Sequence, residues 1–576
     1  MNGRRGRSLR GRSEARRPTL TQSWYHIVVL GTDLAGVVFA ALAARLGYRV
    51  LVIGQGERPV AYKHDGFWFL RRPEHLLGFS TSPAVQRALG ELSLGMEMKN
   101  RPQPLEPTLQ IAMSGMRLDV GGARRLWERD LERELPGSLP FFDGFDARMA
   151  DLTRLSNPLL GGGSRPLPTV RAPGIGEAPP DSDPLHLPPR GMRERATFRK
   201  LAEGVPPHLI DGPFDVLQEF GDPRARAVVE GPLTHLSGLL AQPLAPLVVA
   251  RLWTHLRAGL YRFPGGLDGL RQVFLRKVRD QSSDFRPDAY ASSFVMKRGK
   301  IIAVQLASRG EQIGCELVVG NVDPRKVMGL VPREERDDGW HATAAALQPA
   351  AWRLVVNLGV DPKVLPQGMA PELIWVDDPH DPLRGDNALW VSRPGVGAHA
   401  GGDGRPGPGV VQVSALLEAR AATPTLGGIQ RTVSRSLDAL RRLVPWLDEH
   451  TKVIDVPALR QPLLVPGARP AKYAAQSVRE GRAAAAQESE HAHEEGHGPV
   501  IDFEELVPVF GQALPDTLGA SAFAPETAYK NLLLAGDQLF AGLGFEGTCL
   551  AALQALHLAR ERVKLKTGLR GDRGLV

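Results

Sequence analysis

The residues best suited to chemistry lie in a short turn near the start of the chain. An apolar run, residues 27–30, leads into this turn, and a largely apolar stretch, residues 34–46, follows it. The residues of the turn are Gly31, Thr32, Asp33, Leu34, Ala35 and Gly36. They stand where a dinucleotide-binding fold needs G-x-G-x-x-G, whose first glycine makes the turn and whose second lets backbone approach a pyrophosphate. The third glycine lets helix pack on strand. The spacing therefore indicates a diphosphate site, with two of its three glycines present.

Asp33 replaces the second glycine, and two interpretations of it stay open. A carboxylate at the helix N-terminus would repel a diphosphate unless it turns away, takes a proton or shares a cation. The alternative is that Asp33 only caps the helix, in a fold that has kept its frame and lost its ligand. A second departure follows the next strand, where an acid would bind ribose hydroxyls. Gly54 stands there, and Glu57 follows three residues later.

The elements that must position this turn form a strand–helix–strand unit. Gly47 stands where a left-handed residue would end the helix, and residues 49–53 read as a second buried strand. Continuous apolar strands of this kind are typical of a parallel pair. Further along the chain, alternating apolar residues around Ser114-Gly115 predict a hairpin, and residues 123–135 predict an exposed helix.

Length, charge and cysteine content limit the classes of protein to which the chain can belong. The chain has 576 residues and 43% hydrophobic content, enough for a large core and more than one lobe. Its net charge is +8, but the first seventeen residues alone carry seven Arg and one Glu. We expect this tail to be disordered and solvated rather than a nucleic-acid arm, because no aromatic residues interleave with the arginines. Cys315 and Cys549 cannot form a disulfide framework, so we expect a cytoplasmic protein.

Three stretches rich in Pro, Gly or Ala interrupt the predicted helices and strands: residues 156–193, 394–409 and 478–499. We expect flexible loops there. The last one contains His491, His493 and His497, which could hold a metal. Low-complexity sequence gives no preorganised geometry, however, and no metal site is predicted.

Two later blocks resemble a known family. The first runs YRFPGGLDGL, residues 261–270, then a helix, a strand pair around KRGK, and ELVVGNVDPRKVMGLV, residues 316–331. The second is NLLLAGDQLFAGLGFEGTCLAALQALHLA, residues 531–559. Their order is similar to that in the phytoene desaturase branch of the FAD-dependent amine oxidase superfamily, whose fold is shared with Rab GDP-dissociation inhibitors. The resemblance implies an α/β fold, with a Rossmann-like FAD-binding lobe intertwined with an α+β substrate-binding lobe.

The resemblance also implies where FAD would lie. In the family, backbone of the first strand after the middle helix contacts adenine, which places Ala291 there. Asp537 would hydrogen-bond the ribityl and pyrophosphate region. Bare glycine backbone and a helix N-terminus in the C-terminal block would suit a flavin ring. The residues of this block that would face the cofactor are Gly536, Asp537, Gly544, Phe545, Glu546 and Gly547.

The expected function is an FAD-dependent oxidoreductase of the desaturase, dehydrogenase or isomerase type, acting on a small apolar, isoprenoid or lipid-like substrate. No catalytic side chain is assigned, because in this family the flavin itself accepts hydride or electrons. Peripheral membrane association is compatible with such a substrate, and no nucleic-acid partner is expected. The alternative is a non-catalytic binding protein that has lost flavin and binds a lipid or a protein partner.

The expected organisation alternates between the two lobes. The FAD-binding lobe is assigned residues 23–120, 261–335 and 501–576. The other lobe is assigned residues 121–260, with the insertion at 156–193, and residues 336–475. The tail is residues 1–22 and the loop is residues 476–500.

Overall fold

The computed structural model describes ten segments of the chain. They are residues 23–161, 215–240, 243–308, 310–339, 341, 347–395, 405–418, 424–459, 501–511 and 518–565. The predicted tail, most of the 156–193 insertion and the loop at 476–500 lie outside these segments, as do its three histidines.

The first sheet has seven strands and contains the strand–helix–strand unit. Its strands are β1 (Ser23–Leu30), β2 (Val50–Ile53), β10 (Asp284–Arg286), β11 (Ala291–Lys297), β12 (Lys300–Leu306), β13 (Gln312–Gly320) and β20 (Leu532–Leu534). The order is β10-β2-β1-β13-β12-β11, and β20 pairs with β13. The pairs that β1 makes with β2 and β13, and the β13–β20 pair, are parallel. The carboxyl ends of β1, β13 and β20 therefore meet at one edge, where a doubly wound sheet binds ligands.

The second sheet has eight strands. They are β7 (Leu109–Met113), β8 (Met116–Val120), β14 (Pro349–Val360), β15 (Glu372–Val376), β16 (Ala388–Ser392), β17 (Val410–Glu418), β18 (Thr451–Asp455) and β19 (Val507–Phe510). The order is β18-β14-β17-β16-β15-β7-β8, with β19 also on β14. Smaller sheets join β3 (Ala61–His64) to β4 (Phe67–Leu70), and β5 (Leu76–Leu77) and β6 (Gln103–Pro104) to β9 (Leu260–Arg262).

Twelve helices lie in the described segments. They are α1 (Leu34–Arg45), α2 (Pro83–Glu91), α3 (Gly95–Asn100), α4 (Arg124–Glu134), α5 (Leu139–Gly161), α6 (Pro223–Leu236), α7 (Pro246–Ala258), α8 (Gly266–Arg279), α9 (Pro324–Gly329), α10 (Leu426–Leu443), α11 (Leu447–His450) and α12 (Gly544–Arg562). Every residue of α1 except Arg45 is buried. Its sequence is apolar all round because it packs in the core, against both α8 and α12.

The hairpin and the exposed helix α4 form where the sequence predicts them. The loop predicted from residue 156 is wrong at its start, because α5 continues to Gly161. The hairpin β7–β8, within the range assigned to the FAD-binding lobe, joins the second sheet instead, since Gln110–Ala112 pairs with Leu373–Trp375. Strand β19, in the range 501–576, joins that sheet for the same reason, by pairing with β14.

Candidate functional site

The turn between β1 and α1 has the expected geometry, but two of its amide groups already donate to side chains of the chain. Gly31 has a φ of +107°, and a Cβ there would lie 2.4 Å from the carbonyl oxygen of Asn321. The amide N–H of Thr32 donates to Glu57 Oε2 at 2.6 Å, and the Thr32 hydroxyl donates to the same oxygen. The amide N–H of Ala35 donates to Asp537 Oδ1 at 3.0 Å. Two carboxylates of the chain thus accept from the helix N-terminus, which is where backbone donors bind anions.

Asp33 occupies the N-cap position of α1, but its side chain makes no capping hydrogen bond. It turns instead to Arg72, whose Nη1 donates to Asp33 Oδ1 at 2.9 Å. Burial alone would raise the pKa of Asp33, yet the guanidiniums of Arg72 and Arg271 hold it below its usual value. The interpretation as a simple cap is therefore wrong, and Asp33 forms an ion pair with Arg72 instead.

Glu57 returns from its loop to complete an ion network at this turn. Its carboxylate lies 3.1 Å from Arg271 Nη2 and 3.8 Å from Arg72 Nη2. Burial, then the neighbouring Asp33 carboxylate, raise the pKa of Glu57 to about 7. Burial and Asp33 likewise raise the pKa of Asp537 to about 6. Carboxylates in excess of their counter-ions titrate as a coupled group, and protons are shared among them near neutral pH.

The backbone position assigned to adenine is also bonded within the chain. The amide N–H of Ala291 donates to Gln55 Oε1 at 2.9 Å, and Gln55 Nε2 donates to the Ala291 carbonyl at 3.1 Å. The side-chain amide of Gln55 therefore satisfies both polar groups of Ala291. The prediction that Ala291 lies in the first strand after the middle helix is wrong, because β10 comes between α8 and β11.

The glycines beside the turn make close contacts with Asn321, at the end of β13. A Cβ on Gly36 would lie 2.1 Å from Asn321 Nδ2, which donates to the Asp33 carbonyl at 2.8 Å. Gly536 has more room, with Asn321 Oδ1 at 3.9 Å from the Cβ position. A cavity of about 20 Å³ lies here, lined by Asp33, Asn321, Gly536 and Asp537 among others. That volume holds about one water molecule.

The C-terminal block folds as the strand β20, a turn and the helix α12. Phe545, in the first turn of α12, is buried with its ring centroid 5.1 Å from that of Phe79. Gly544 has a φ of +56°, and a Cβ on Gly547 would lie 2.0 Å from the carbonyl oxygen of Phe540. Close backbone packing within the chain therefore requires glycine at 547.

Glu546 is completely buried and lies in a second ion cluster. Its carboxylate pairs with Arg251 and with His255, and it accepts from the Ser82 hydroxyl at 2.6 Å. Arg251 Nη1 also donates to the Thr153 carbonyl at 3.0 Å. Burial would raise the pKa of Glu546, but the Arg251 charge and then His255 hold it well below its usual value. The cofactor-binding role assigned to Glu546 and the other site residues stays a prediction.

Sequence reasoning missed a third polar group, on the second sheet. Arg353, Asn357, Gln412 and Ser414 alternate with apolar residues in β14 and β17, and all four are buried. Polar side chains confined to one face of otherwise apolar strands are the signal that could have found this group.

The described ranges contain no set of three or more His, Cys, Asp or Glu side chains placed to bind a metal ion. None of their helices combines the length and the apolar character needed to cross a bilayer.

Comparison with known proteins shows which solved structures have a similar fold. No family model and no curated protein sequence matches the chain. Among solved structures, an oxidoreductase from Methanosarcina mazei is 12% identical with a TM-score of 0.51, covering 92% of this chain and 99% of that one. Cyclohexylamine oxidase from Brevibacterium oxydans is 15% identical, with a TM-score of 0.49 and coverage of 93% and 99%. A Rab GDI from Plasmodium falciparum is 12% identical, with a TM-score of 0.38 and coverage of 75% and 89%.

The chain therefore has the α/β fold expected from the resemblance, shared with the oxidoreductase from Methanosarcina mazei. The Rossmann-like sheet and the second sheet draw their strands from alternating parts of the sequence, as predicted for intertwined lobes. Structural similarity at such low sequence identity shows the fold alone, so the function has to be argued from the residues of the site.

Proposed function

We propose that this chain is a non-catalytic binding protein that keeps the oxidoreductase fold without holding flavin. One observation carries the proposal: several of the backbone groups predicted to contact FAD are hydrogen-bonded to the chain's own side chains. Glu57 and Asp537 accept from two amides of the turn, those of Thr32 and Ala35, and Gln55 bonds both polar groups of Ala291. A dinucleotide would have to displace all three side chains.

The charges around the turn do not fit a diphosphate. Among the described residues, the ion network contains more carboxylates than guanidiniums: Asp33, Glu57, Asp268 and Asp537 against Arg72 and Arg271. Diphosphate would add negative charge beside side chains that already share protons. A phosphate-binding turn normally offers free N–H groups to the anion, whereas here the amides of Thr32 and Ala35 already donate to carboxylates.

The direct test is the absorption spectrum of purified protein, followed by equilibrium dialysis against FAD. We expect a colourless protein that retains no FAD at micromolar concentrations. The double variant Asp33→Gly/Glu57→Gln removes two carboxylates while leaving Arg72 and Arg271 in place, and it should bind FAD more tightly than the wild type. Glu504→Gln, an exposed carboxylate paired with Lys326, is the control. Yellow wild-type protein with one FAD per chain would overturn the proposal.

The competing function is an FAD-dependent oxidoreductase acting on an apolar, isoprenoid or lipid-like substrate. Besides the fold, one local feature favours it: the Nε–H groups of Arg72 and Arg271 are buried without a hydrogen-bond partner in the described segments. These donors could serve an anionic ligand. Bound flavin that an apolar substrate reduces under anaerobic conditions would establish this function instead.

For a flavin-free protein, the partner we propose is a lipid or another protein, with peripheral membrane association for the lipid case and a cytoplasmic location. Co-sedimentation with vesicles of phosphatidylcholine and phosphatidylglycerol tests the lipid case. Protein that stays in the supernatant at all lipid concentrations would leave the protein partner.

A further inference from the structure

The two faces of the second sheet differ in chemistry. On one face, the apolar side chains of β14 and β17 pack with those of α10 in a continuous apolar cluster. The other face carries polar residues that are buried against the rest of the molecule. Asn357 Nδ2 and Gln412 Nε2 both donate to the Leu70 carbonyl at 2.9 Å, which fixes one end of this face. Further along the same strands, the polar groups are not fully bonded.

Arg353 is a buried cation without a counter-ion among the described residues. Its side chain is 9% exposed, and its guanidinium donates to the His235 carbonyl at 2.7 Å and to Ser414 Oγ at 3.3 Å. Desolvation lowers the pKa of Arg353 to about 10, so it stays charged at neutral pH. On the same face the carboxylate of Glu372 pairs with Arg262 and accepts from Trp390 and Ser392. A buried charge is normally paired, so Arg353 has unused capacity for an anion.

Two histidines beside Arg353 have buried ring nitrogens without partners in the part of the chain that the structure describes. His235 is 1% exposed, and its Nε2 lies 2.9 Å from the Ala388 carbonyl, which can only accept. Nε2 therefore carries the proton, and the orphan Nδ1 is an acceptor. His75 Nε2 is the second orphan. Both imidazole rings lie near the ring of Trp390, whose centroid is 4.0 Å from that of His75 and 6.1 Å from that of His235.

Both histidines stay neutral at physiological pH. Burial and the Arg353 charge lower the pKa of His235 to about 3. Burial, Arg353, His235 and Arg262 together hold the pKa of His75 well below its ordinary value. The group therefore offers one positive charge and at least one neutral acceptor, which matches a monoanion that also carries a donor.

We propose that Arg353, His235 and His75 form a binding site for a small organic carboxylate that bears a neighbouring hydroxyl group. Arg353 pairs with the carboxylate, and His235 Nδ1 accepts from the hydroxyl. The site rests on the second sheet and does not depend on the flavin-free function. Absorbance reports the flavin and calorimetry reports the carboxylate, so either idea can fail alone.

The test is isothermal titration of the full chain with lactate, with propionate, which lacks the hydroxyl, and with inorganic phosphate. We expect one lactate site per chain, with propionate bound more weakly. Arg353→Met should weaken lactate binding about tenfold or more, as expected for losing a charge-assisted hydrogen bond. Arg353→Lys should recover part of the affinity. Arg435→Met removes an arginine that is 60% exposed and should change nothing.

Circular dichroism melts establish that each variant is folded, and Arg353→Lys serves if Arg353→Met is not. Wild-type protein that binds none of the three probes at 50 millimolar, or Arg353 variants that bind lactate like the wild type, would overturn the proposal. Phosphate bound more tightly than lactate would overturn the assignment to a carboxylate.

Discussion

Two ion clusters in this molecule place a carboxylate at the start of a buried helix beside an arginine. In the first turn of α12, Glu546 pairs with Arg251, and both side chains are completely excluded from solvent. Before α1, Asp33 pairs with Arg72, and their side chains are 25% and 24% exposed. The cluster at α12 holds one carboxylate against an arginine and a histidine, whereas the cluster at α1 has an excess of carboxylates.

The difference separates a structural cluster from one whose charges respond to their surroundings. Glu546 stays ionised because its partners compensate its burial. Glu57 and Asp537 have raised pKa values because their partners are too few. Similar residue types in similar positions thus give a fixed ion pair in one place and an exchangeable proton in the other.

The largest expected effect breaks the fixed cluster. Glu546→Gln leaves the Arg251 charge buried without a carboxylate, and we expect the free energy of unfolding to fall by about 3–5 kcal/mol in urea titrations. The double variant Arg251→Met/Glu546→Met removes both charges and should recover much of the loss. A single variant that loses less than about 1 kcal/mol would show that the pair is not structural.

A smaller effect compares the glycines of the two regions. Gly547→Ala should cost about 3 kcal/mol because its Cβ meets the rigid Phe540 carbonyl oxygen at 2.0 Å. Gly36→Ala should cost less, about 2 kcal/mol, since the Asn321 amide group that it meets at 2.1 Å can rotate although Asn321 Cβ, at 2.5 Å, is held by the backbone. Urea unfolding of both variants measures the order. Equal losses would contradict the view that the α12 region is the more rigid.

The ion cluster at α1 should make the stability of the protein depend on pH. Glu57 has a pKa of about 7 in the folded chain and about 4.5 when unfolded, so folding takes up a proton between these values. Its stabilising contribution is complete below pH 4.5 and is lost as the pH rises through 7. A glutamine side chain does not titrate, so the free energy of unfolding of the Glu57→Gln variant should not show this loss. Relative to the wild type, it should rise by about 2 kcal/mol between pH 5 and pH 8.

Urea unfolding of the Glu57→Gln variant at pH 5 and pH 8 measures this change, with Glu504→Gln as the exposed control. The two proteins could instead differ in free energy of unfolding by the same amount at both pH values. That result would mean that Glu57 is ionised throughout this range.

The smallest expected effect is that of a glycine-to-alanine substitution without steric contact, which serves as the reference for the other two glycines. Gly90 is an exposed residue in α2, and a Cβ there would meet no atom within 4 Å. Gly90→Ala should therefore stabilise the protein by about 0.5 kcal/mol, through the lower chain entropy of the unfolded state. Thermal denaturation measures it. A destabilised Gly90→Ala variant would remove the baseline against which Gly547 and Gly36 are compared.

Local sequence pattern determined most of the fold. The apolar run before Gly31 and the apolar stretch after it were enough to predict β1 and α1, because buried parallel strands and core helices have continuous apolar sequence. Alternation around Ser114-Gly115 gave the hairpin but not its sheet, which depends on a pairing with β15 more than 250 residues away.

The sequence also located the turn at residues 31–36 and showed that Asp33 and Gly54 depart from the dinucleotide pattern. Only the tertiary structure decided what replaces the ligand contacts. Glu57, Gln55 and Asp537 reach the turn and Ala291 from loops, and partners of a loop side chain leave no periodic signal in sequence. Arg353, His235 and His75 lie far apart in the chain, so the tertiary structure alone decided that they come together. Periodicity reports which face of an element is buried, whereas the partner of a buried polar group is set by how distant segments pack.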